Sequence, residues 1–286
     1  MKLAHLILAH NEPKQLERLV LRLAHPNSMV YIHLDKKTDI EPFAHLKEYD
    51  NVVFVKDRIK VYWGTYNIVD ATLNGFKEIL SSGNKYEYIN LLSGQDYPLI
   101  PQQDIHNYLK ANPGIAFMNY RLFNPDWMEA LPRIQLYHFN NLRLPGRYNF
   151  QWLINTLLPK RKLPNKLMPV GRSQWFTIPQ DCVEYLVDYW DTNPSLKRFI
   201  KLTWAPDEFI FQTILYNSHY KDKMVNNDLR YIDWSAKGVS PKTLTMDDAD
   251  RLVSSGKFFA RKFDMKKNED LLDFIDKYNR PNIVSS

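Results

Sequence analysis

Two segments of this 286-residue chain hold residue types that group-transfer chemistry requires. The first is Trp204-Ala205-Pro206-Asp207-Glu208, where adjacent carboxylates follow a proline. Proline is favoured at a first helical position, so the order predicts a helix opening at Pro206 and running to about Leu215. A carboxylate in the first turn feels the positive end of the helix dipole and stays ionised. Ionised is the state a general base needs if it is to take a proton from an attacking hydroxyl. Taken alone, Glu208 also reads as an ordinary acidic first-turn residue. Asp207 reads as an orienting or capping group beside the acceptor.

The second segment pairs Lys242-Thr243-Leu244-Thr245 with Phe258-Phe259-Ala260-Arg261-Lys262-Phe263. Preorganised cations can neutralise charge developing on a departing diphosphate, work that a divalent ion often performs. A Lys-Arg pair is usually a solvated face. Here the apolar frame of Phe258, Phe259 and Phe263 argues for an anchored segment. The only Asp-x-Asp, Asp248-Ala249-Asp250, reads as helix capping, because Thr245 and Asp248 have capping-box spacing.

Elements must bring these segments together. The first half alternates apolar strand runs with helical patterns, which predicts a mainly parallel α/β sheet flanked by helices. Leu3 to Ala9, Met29 to Leu34, Val52 to Val55 and Tyr86 to Leu92 read as strands. Asn11 reads as an N-cap with Pro13 in the first turn, and Leu16, Leu19, Val20 and Leu23 recur with helical period. Val69, Leu73, Phe76 and Leu80 mark one face of the next helix. Ligands of open α/β sheets bind beyond the carboxyl ends of the strands, where His10, Asn11, Asp35 and Ser93 to Asp96 fall. Asp35 suits a base or ribose contact, and His33 a core position.

The stretch from about Tyr120 to Val170 is rich in Pro, Arg, Asn and aromatics, including Arg133, Tyr137, Arg143, Arg147, Tyr148 and Trp152. It reads as an acceptor-side insertion. Lys160-Arg161-Lys162 reads as a basic cluster, either a solvated loop or a membrane-surface contact. Gly171 to Pro179 resumes regular structure, followed by a helix through Tyr189. The next helix is expected near Pro206, and the last strand at Leu229 to Trp234. Trp175 and Trp234 are candidate sugar- or acceptor-facing rings.

Hydrophobic residues at 44% and charged residues at 24% are ordinary globular values, which argues against disorder. The formal net charge of +6 favours anionic partners such as a nucleotide diphosphate, an acidic glycan or an anionic membrane. No basic run is interleaved with the aromatics of a nucleic-acid motif. A single cysteine, Cys182, excludes an intrachain disulfide and fits a reducing cytoplasm. Leu3 to Ala9 is too short to span a bilayer. The expectation is a cytoplasmic protein, at most peripheral to the inner face of a membrane. Phosphate-loop, dinucleotide and nucleophile-elbow motifs do not occur.

Together these segments resemble the core-2/I-branching β-1,6-N-acetylglucosaminyltransferase and peptide O-xylosyltransferase family, glycosyltransferase family 14. The resemblance extends to Ala9-His10-Asn11, Trp63-Gly64, Gly94-Gln95-Asp96-Tyr97-Pro98 and Gly171-Arg172-Ser173-Gln174-Trp175. It implies a GT-A-type fold, here one domain over 1–286. Its nucleotide-binding half would be 1–119, its insertion 120–170, and its catalytic and diphosphate-binding half 171–286. It also implies inverting transfer of GlcNAc, xylose or a similar sugar from a UDP-sugar to a glycan or glycolipid hydroxyl, without a metal cofactor. Glu208 would be the base. Lys262 and, less securely, Lys242 would contact the diphosphate, with Arg261 and Lys257 behind them. Ala9, His10, Asn11, Asp35 and Asp96 would hold the donor. A bacterial member acting on a surface polysaccharide is the expected setting. The rivals are a metal-dependent transferase using Asp96 or Asp248, and a catalytically silent glycan-binding scaffold.

Overall fold

In the computed structural model, which describes residues 1–141 and 145–279, two sheets share the chain. The strands are β1 (Leu3–Ala9), β2 (Ser28–Leu34), β3 (Val52–Phe54), β4 (Tyr88–Ser93), β5 (Asp96–Pro98), β6 (Ala116–Leu122), β7 (Val170–Pro179), β8 (Met224–Asn226), β9 (Arg230–Ile232) and β10 (Phe259–Arg261). The helices are α1 (Pro13–Arg22), α2 (Asn67–Ser81), α3 (Gln102–Ala111), α4 (Leu131–Gln135) and α5 (Arg147–Leu157). They continue with α6 (Gln180–Thr192), α7 (Pro194–Lys201), α8 (Ile210–Tyr216), α9 (Ala249–Ser254) and α10 (Glu269–Tyr278).

The large sheet has the order β3-β2-β1-β4-β7-β6-β8. Only β7 runs against its neighbours, so the sheet is mainly parallel, as the sequence predicts. β1 is apolar on both faces because both are covered. Ala4 and Leu6 enter the core that holds α2, α6 and α8, while Leu3, Ile7 and Ala9 enter the core that holds α1, α3 and α10. The parallel strands β1, β2 and β4 therefore end on one edge, at His10, Asp35 and Gly94.

A small sheet, β5-β10-β9, lies beside that edge, with Arg261 paired in register to Asp96 on one side and Ile232 on the other. The expected last strand is thus not the last: β10 follows it and sits between β5 and β9. Three-residue strands carry too little alternation to be read from sequence. Helix α7, ahead of Pro206, is likewise additional to the elements expected.

Two helix starts differ from expectation. Helix α1 begins after Glu12, which is left-handed at φ 55°, and Asn11 is an exposed residue outside the cap. The helix expected from Pro206 is interrupted. Ala205 is left-handed at φ 45°, Pro206–Glu208 form one 3-10 turn, and Phe209 leaves helical space at φ −146° before α8 starts. The cause is a close approach by β7: a Cβ on Gly171 would sit 2.3 Å from the Phe209 Cα and 2.5 Å from the Glu208 carbonyl oxygen. The buried Phe209 ring packs edge-on to Phe123 at 5.3 Å, which anchors the interruption.

The connection between β6 and β7 spans 123–169. Of its basic residues, Arg143 lies outside the described residues. Arg161 does not join Lys160 and Lys162 at the surface. It turns inward, donates to the carbonyls of Leu136, Leu202 and Phe199, and packs on the Phe199 ring at 3.8 Å.

Candidate functional site

Glu208 sits at the surface of the turn before α8, with its side chain 32% exposed. One oxygen, Oε2, accepts a hydrogen bond from Arg133 Nη1 at 2.5 Å. That guanidinium lies between two indoles, 4.7 Å from the Trp127 ring and 4.5 Å from the Trp204 ring. Charge-assisted bonding and ring stacking together fix where the carboxylate points. Trp204 is itself positioned by Gly64, at φ +69°, where a Cβ would come within 2.7 Å of the indole Nε1. The Ala205 N–H donates to the Gly64 carbonyl at 3.0 Å. Two segments quoted for the resemblance, Trp63-Gly64 and Trp204 to Glu208, therefore meet.

Asp207 points inward and is 6% exposed. It makes no side-chain cap, and its Oδ1 has no hydrogen-bond partner among the described residues. Burial first, and the neighbouring Glu208 charge second, push its pKa up to about 7. Buried acids near like charges favour the neutral form. Of the two acids, Glu208 is the accessible member.

At the strand ends, the Asp35 N–H donates to the Ala9 carbonyl at 2.8 Å, and Thr38 Oγ1 donates to the His10 carbonyl at 2.8 Å. These bonds knit the turns after β1 and β2 into one surface. Asp35 accepts the Lys37 N–H at 2.9 Å and lies 3.3 Å from Lys37 Nζ. The His10 pKa is lowered by desolvation; Asp35 opposes this, while Lys37 and Lys262 add to it. His10, Asp35 and Lys262 therefore share one electrostatic neighbourhood, with exposed Asn11 beside it. His33 is the core residue expected, its Nε2 accepting the Ile59 N–H at 3.0 Å.

The small sheet carries the other charges. Arg261 Nε lies 3.5 Å from Asp96 Oδ1, and the guanidinium stacks on Trp175 at 4.4 Å. Burial lowers the Arg261 pKa, while Asp96, Glu208 and Asp228 oppose that shift. Arg261 is thus an internal cation joining Asp96 and Trp175 near Glu208. Asp96 is buried, accepts the Ser93 N–H at 2.9 Å, and has its pKa raised by burial against the pull of Arg261 and that bond. The following residue, Lys262, is half-buried and has no carboxylate partner among the described residues.

Lys242 is brought alongside, since the Leu244 N–H donates to the Lys262 carbonyl at 2.9 Å. Its ammonium, however, is held by both Asp248 oxygens at 2.9 Å. Asp248 is buried and closes the capping box with Thr245, the role its spacing predicts. Lys257 turns away to Asn227 Oδ1 at 2.8 Å. Trp234, half exposed, follows Asp233, whose carbonyl accepts the Lys242 N–H at 2.8 Å.

Several positioning residues carried no sequence signal. Arg133 stands out only as one arginine in an aromatic-rich stretch, 75 residues from the carboxylate it holds. Gln15, buried in α1, donates to the carbonyls of Gly94 at 3.0 Å and Phe263 at 3.3 Å and accepts the Met265 N–H at 2.8 Å. It ties the β4–β5 turn to the end of β10. Arg230 is buried, with its pKa lowered by burial to about 10, and donates to Asn90, Leu91 and Phe176 below the small sheet.

A mainly parallel sheet flanked by helices, with acids and cations gathered at its strand ends, is the GT-A-type arrangement expected from the sequence. Residues 3–253 match the model of the Core-2/I-Branching enzyme family, and the chain belongs to that family. It is 27% identical over 299 residues to Xylosyltransferase 2 of Rattus norvegicus, covering 96% of this chain and 33% of that protein. It is also 27% identical over 292 residues to Beta-glucuronosyltransferase GlcAT14B of Arabidopsis thaliana, covering 96% of this chain and 65% of that protein. The chain thus spans between a third and two thirds of these relatives' lengths. Among solved structures, mouse Xyloside xylosyltransferase 1 aligns over 90% of this chain and 97% of that one, at 12% identity and a TM-score of 0.39. No helix among the described residues is long and apolar enough to cross a membrane.

Proposed function

We propose that this chain is an inverting glycosyltransferase that moves a sugar from a UDP-sugar to a hydroxyl of a glycan or glycolipid without a metal. The donor sugar would be xylose, GlcNAc or a related residue, and the acceptor a bacterial surface glycan. The observation that carries the reading is Glu208, the accessible member of an acid pair, held by a hydrogen bond from the Arg133 guanidinium.

In this reaction the acceptor oxygen attacks the anomeric carbon while Glu208 takes its proton. The bond from that carbon to the diphosphate breaks, and its electron pair leaves on UDP. Lys262, with no carboxylate partner among the described residues, meets that charge. Lys242 contributes only as far as Asp248 shares it, so Lys262 carries the larger part. His10, Asn11, Asp35 and the Ala9 backbone are the base and ribose side of the donor site. Asp96 and Trp175 act through Arg261, and Trp234 offers an exposed ring to the acceptor.

Calorimetric titration of UDP into the protein in excess EDTA tests the donor site. Micromolar binding that Lys262→Ala weakens tenfold or more is the expected result (about 1.4 kcal/mol). Binding that appears only after a divalent ion is added would overturn the metal-free reading.

A further inference from the structure

Helix α5 leaves most of its large apolar side chains exposed. Two polar residues four apart bond it to the protein, Gln151 accepting the Phe139 N–H at 3.0 Å, while Phe150 packs on the Phe139 ring at 5.1 Å. Asn155 bonds both the N–H and the carbonyl of Tyr137, at 2.7 and 3.0 Å. Tyr148, Trp152, Leu153 and Leu157 present their side chains to solvent, with 66%, 69%, 44% and 69% of each exposed. No residue of the helix is buried. A helix that packs on its own protein normally shows the reverse arrangement, apolar side in and polar side out.

Along the sequence, the charges flanking this helix have one sign. Between Glu129 and Asp181 the chain contains no acidic residue, while Lys160, Lys162 and Lys166 stand exposed just beyond the helix. Arg161, between the first two, is spent inward on the carbonyls of Leu136, Leu202 and Phe199. That anchor joins the helix and its lysines to the segment leading into Trp204 and Glu208. An exposed indole, a phenol and leucines on one short helix, followed in sequence by lysines without acids, is a composition that settles in the headgroup region of an anionic bilayer.

We infer that α5, with Lys160 and Lys162, docks this protein on an anionic membrane surface. Lys160 and Lys162 supply attraction within a Debye length, and Trp152 and Leu157 supply apolar burial once the face is in contact. Docking would hold Glu208 near acceptors carried on lipid, a consequence that rests on the transferase reading. The docking itself does not rest on it.

The test is co-sedimentation of the full chain with vesicles of phosphatidylglycerol and phosphatidylcholine, compared with phosphatidylcholine alone. Binding to the anionic vesicles at least tenfold stronger than to the neutral ones is expected. Trp152→Glu combined with Leu157→Glu should abolish it. Lys160→Glu combined with Lys162→Glu should weaken it tenfold or more. Both variants should melt as the wild type does, because these side chains point to solvent. Absence of binding to either vesicle, or binding that neither variant alters, would overturn the inference. So would a concentration-dependent dimer by light scattering that Trp152→Glu/Leu157→Glu dissociates, since a second copy would then cover the face. Sedimentation requires no turnover, so its outcome is read separately from the transferase assignment.

Discussion

Glu208 is set by its neighbours: Arg133 holds its carboxylate by a charge-assisted hydrogen bond, and the adjacent Asp207 is buried with its pKa raised. Arg133→Ala removes a charge-assisted bond worth about 1.5–3 kcal/mol. It should lower kcat roughly 10- to 100-fold with little change in KM for the donor, measured by steady-state kinetics. Arg133→Lys keeps the charge but loses the planar stack between Trp127 and Trp204, so it should not restore the wild-type rate. For Asp207, the folded pKa of about 7 lies above the ordinary carboxyl value of 3.8, so between these values the folded state holds one proton more than the unfolded. Stability should therefore fall as pH rises through that window and level off above it. Asp207→Asn should flatten this decline when melting temperature is followed from about pH 4 to pH 8. An unchanged pH profile would show that Asp207 ionises normally. At this scale, the sequence marks Glu208, Lys262, Asp35 and His10 by residue type and flanking segment. It names Arg133 only within the aromatic-rich insertion and is silent on Gln15 and Arg230; the roles of all three are contacts across long stretches of chain.

At the scale of elements, the turn that carries Glu208 exists because β7 presses on it. Gly171→Ala places a Cβ on the Phe209 backbone, and backbone cannot swing aside as a flexible side chain can. Overpacking of this kind costs roughly 1–3 kcal/mol, which urea denaturation would measure as a lower midpoint. The same substitution should depress turnover, since the Glu208 carbonyl lies in the same contact. The long strands β1, β2 and β4 and the helix α2 were legible because their apolar periods run for several residues. The Pro206 segment was misread as one continuous helix because proline placement reports local preference only. What interrupts it is the close approach of Gly171 in β7 to the backbone of Glu208 and Phe209. The three-residue strands of the small sheet leave no periodic trace, yet they set Arg261 against Asp96.

Across the whole molecule, two cores on either side of one sheet leave a single edge where the parallel strands end, and the charged residues of both halves of the chain converge there. The α/β class, the mainly parallel sheet and the family were legible from strand-helix alternation and the quoted segments. The distribution of charge was not: the cluster at Lys160 looked like three equivalent cations until Arg161 proved to be an internal staple. The net charge of +6 is consistent with two anionic partners at two places, a diphosphate at the strand ends and a lipid surface at α5. Lys262→Ala should therefore weaken UDP binding while leaving vesicle sedimentation unchanged, and Lys160→Glu/Lys162→Glu should do the reverse. The measurement that bears most directly on the central claim is UDP release from a panel of UDP-sugars with glycan acceptors, in excess EDTA, by the wild type and by Glu208→Gln. Acceptor-dependent release that falls by about 10²-fold or more in the variant, with UDP affinity retained, is the predicted result. Release undiminished in Glu208→Gln would contradict the assignment of Glu208 as the base.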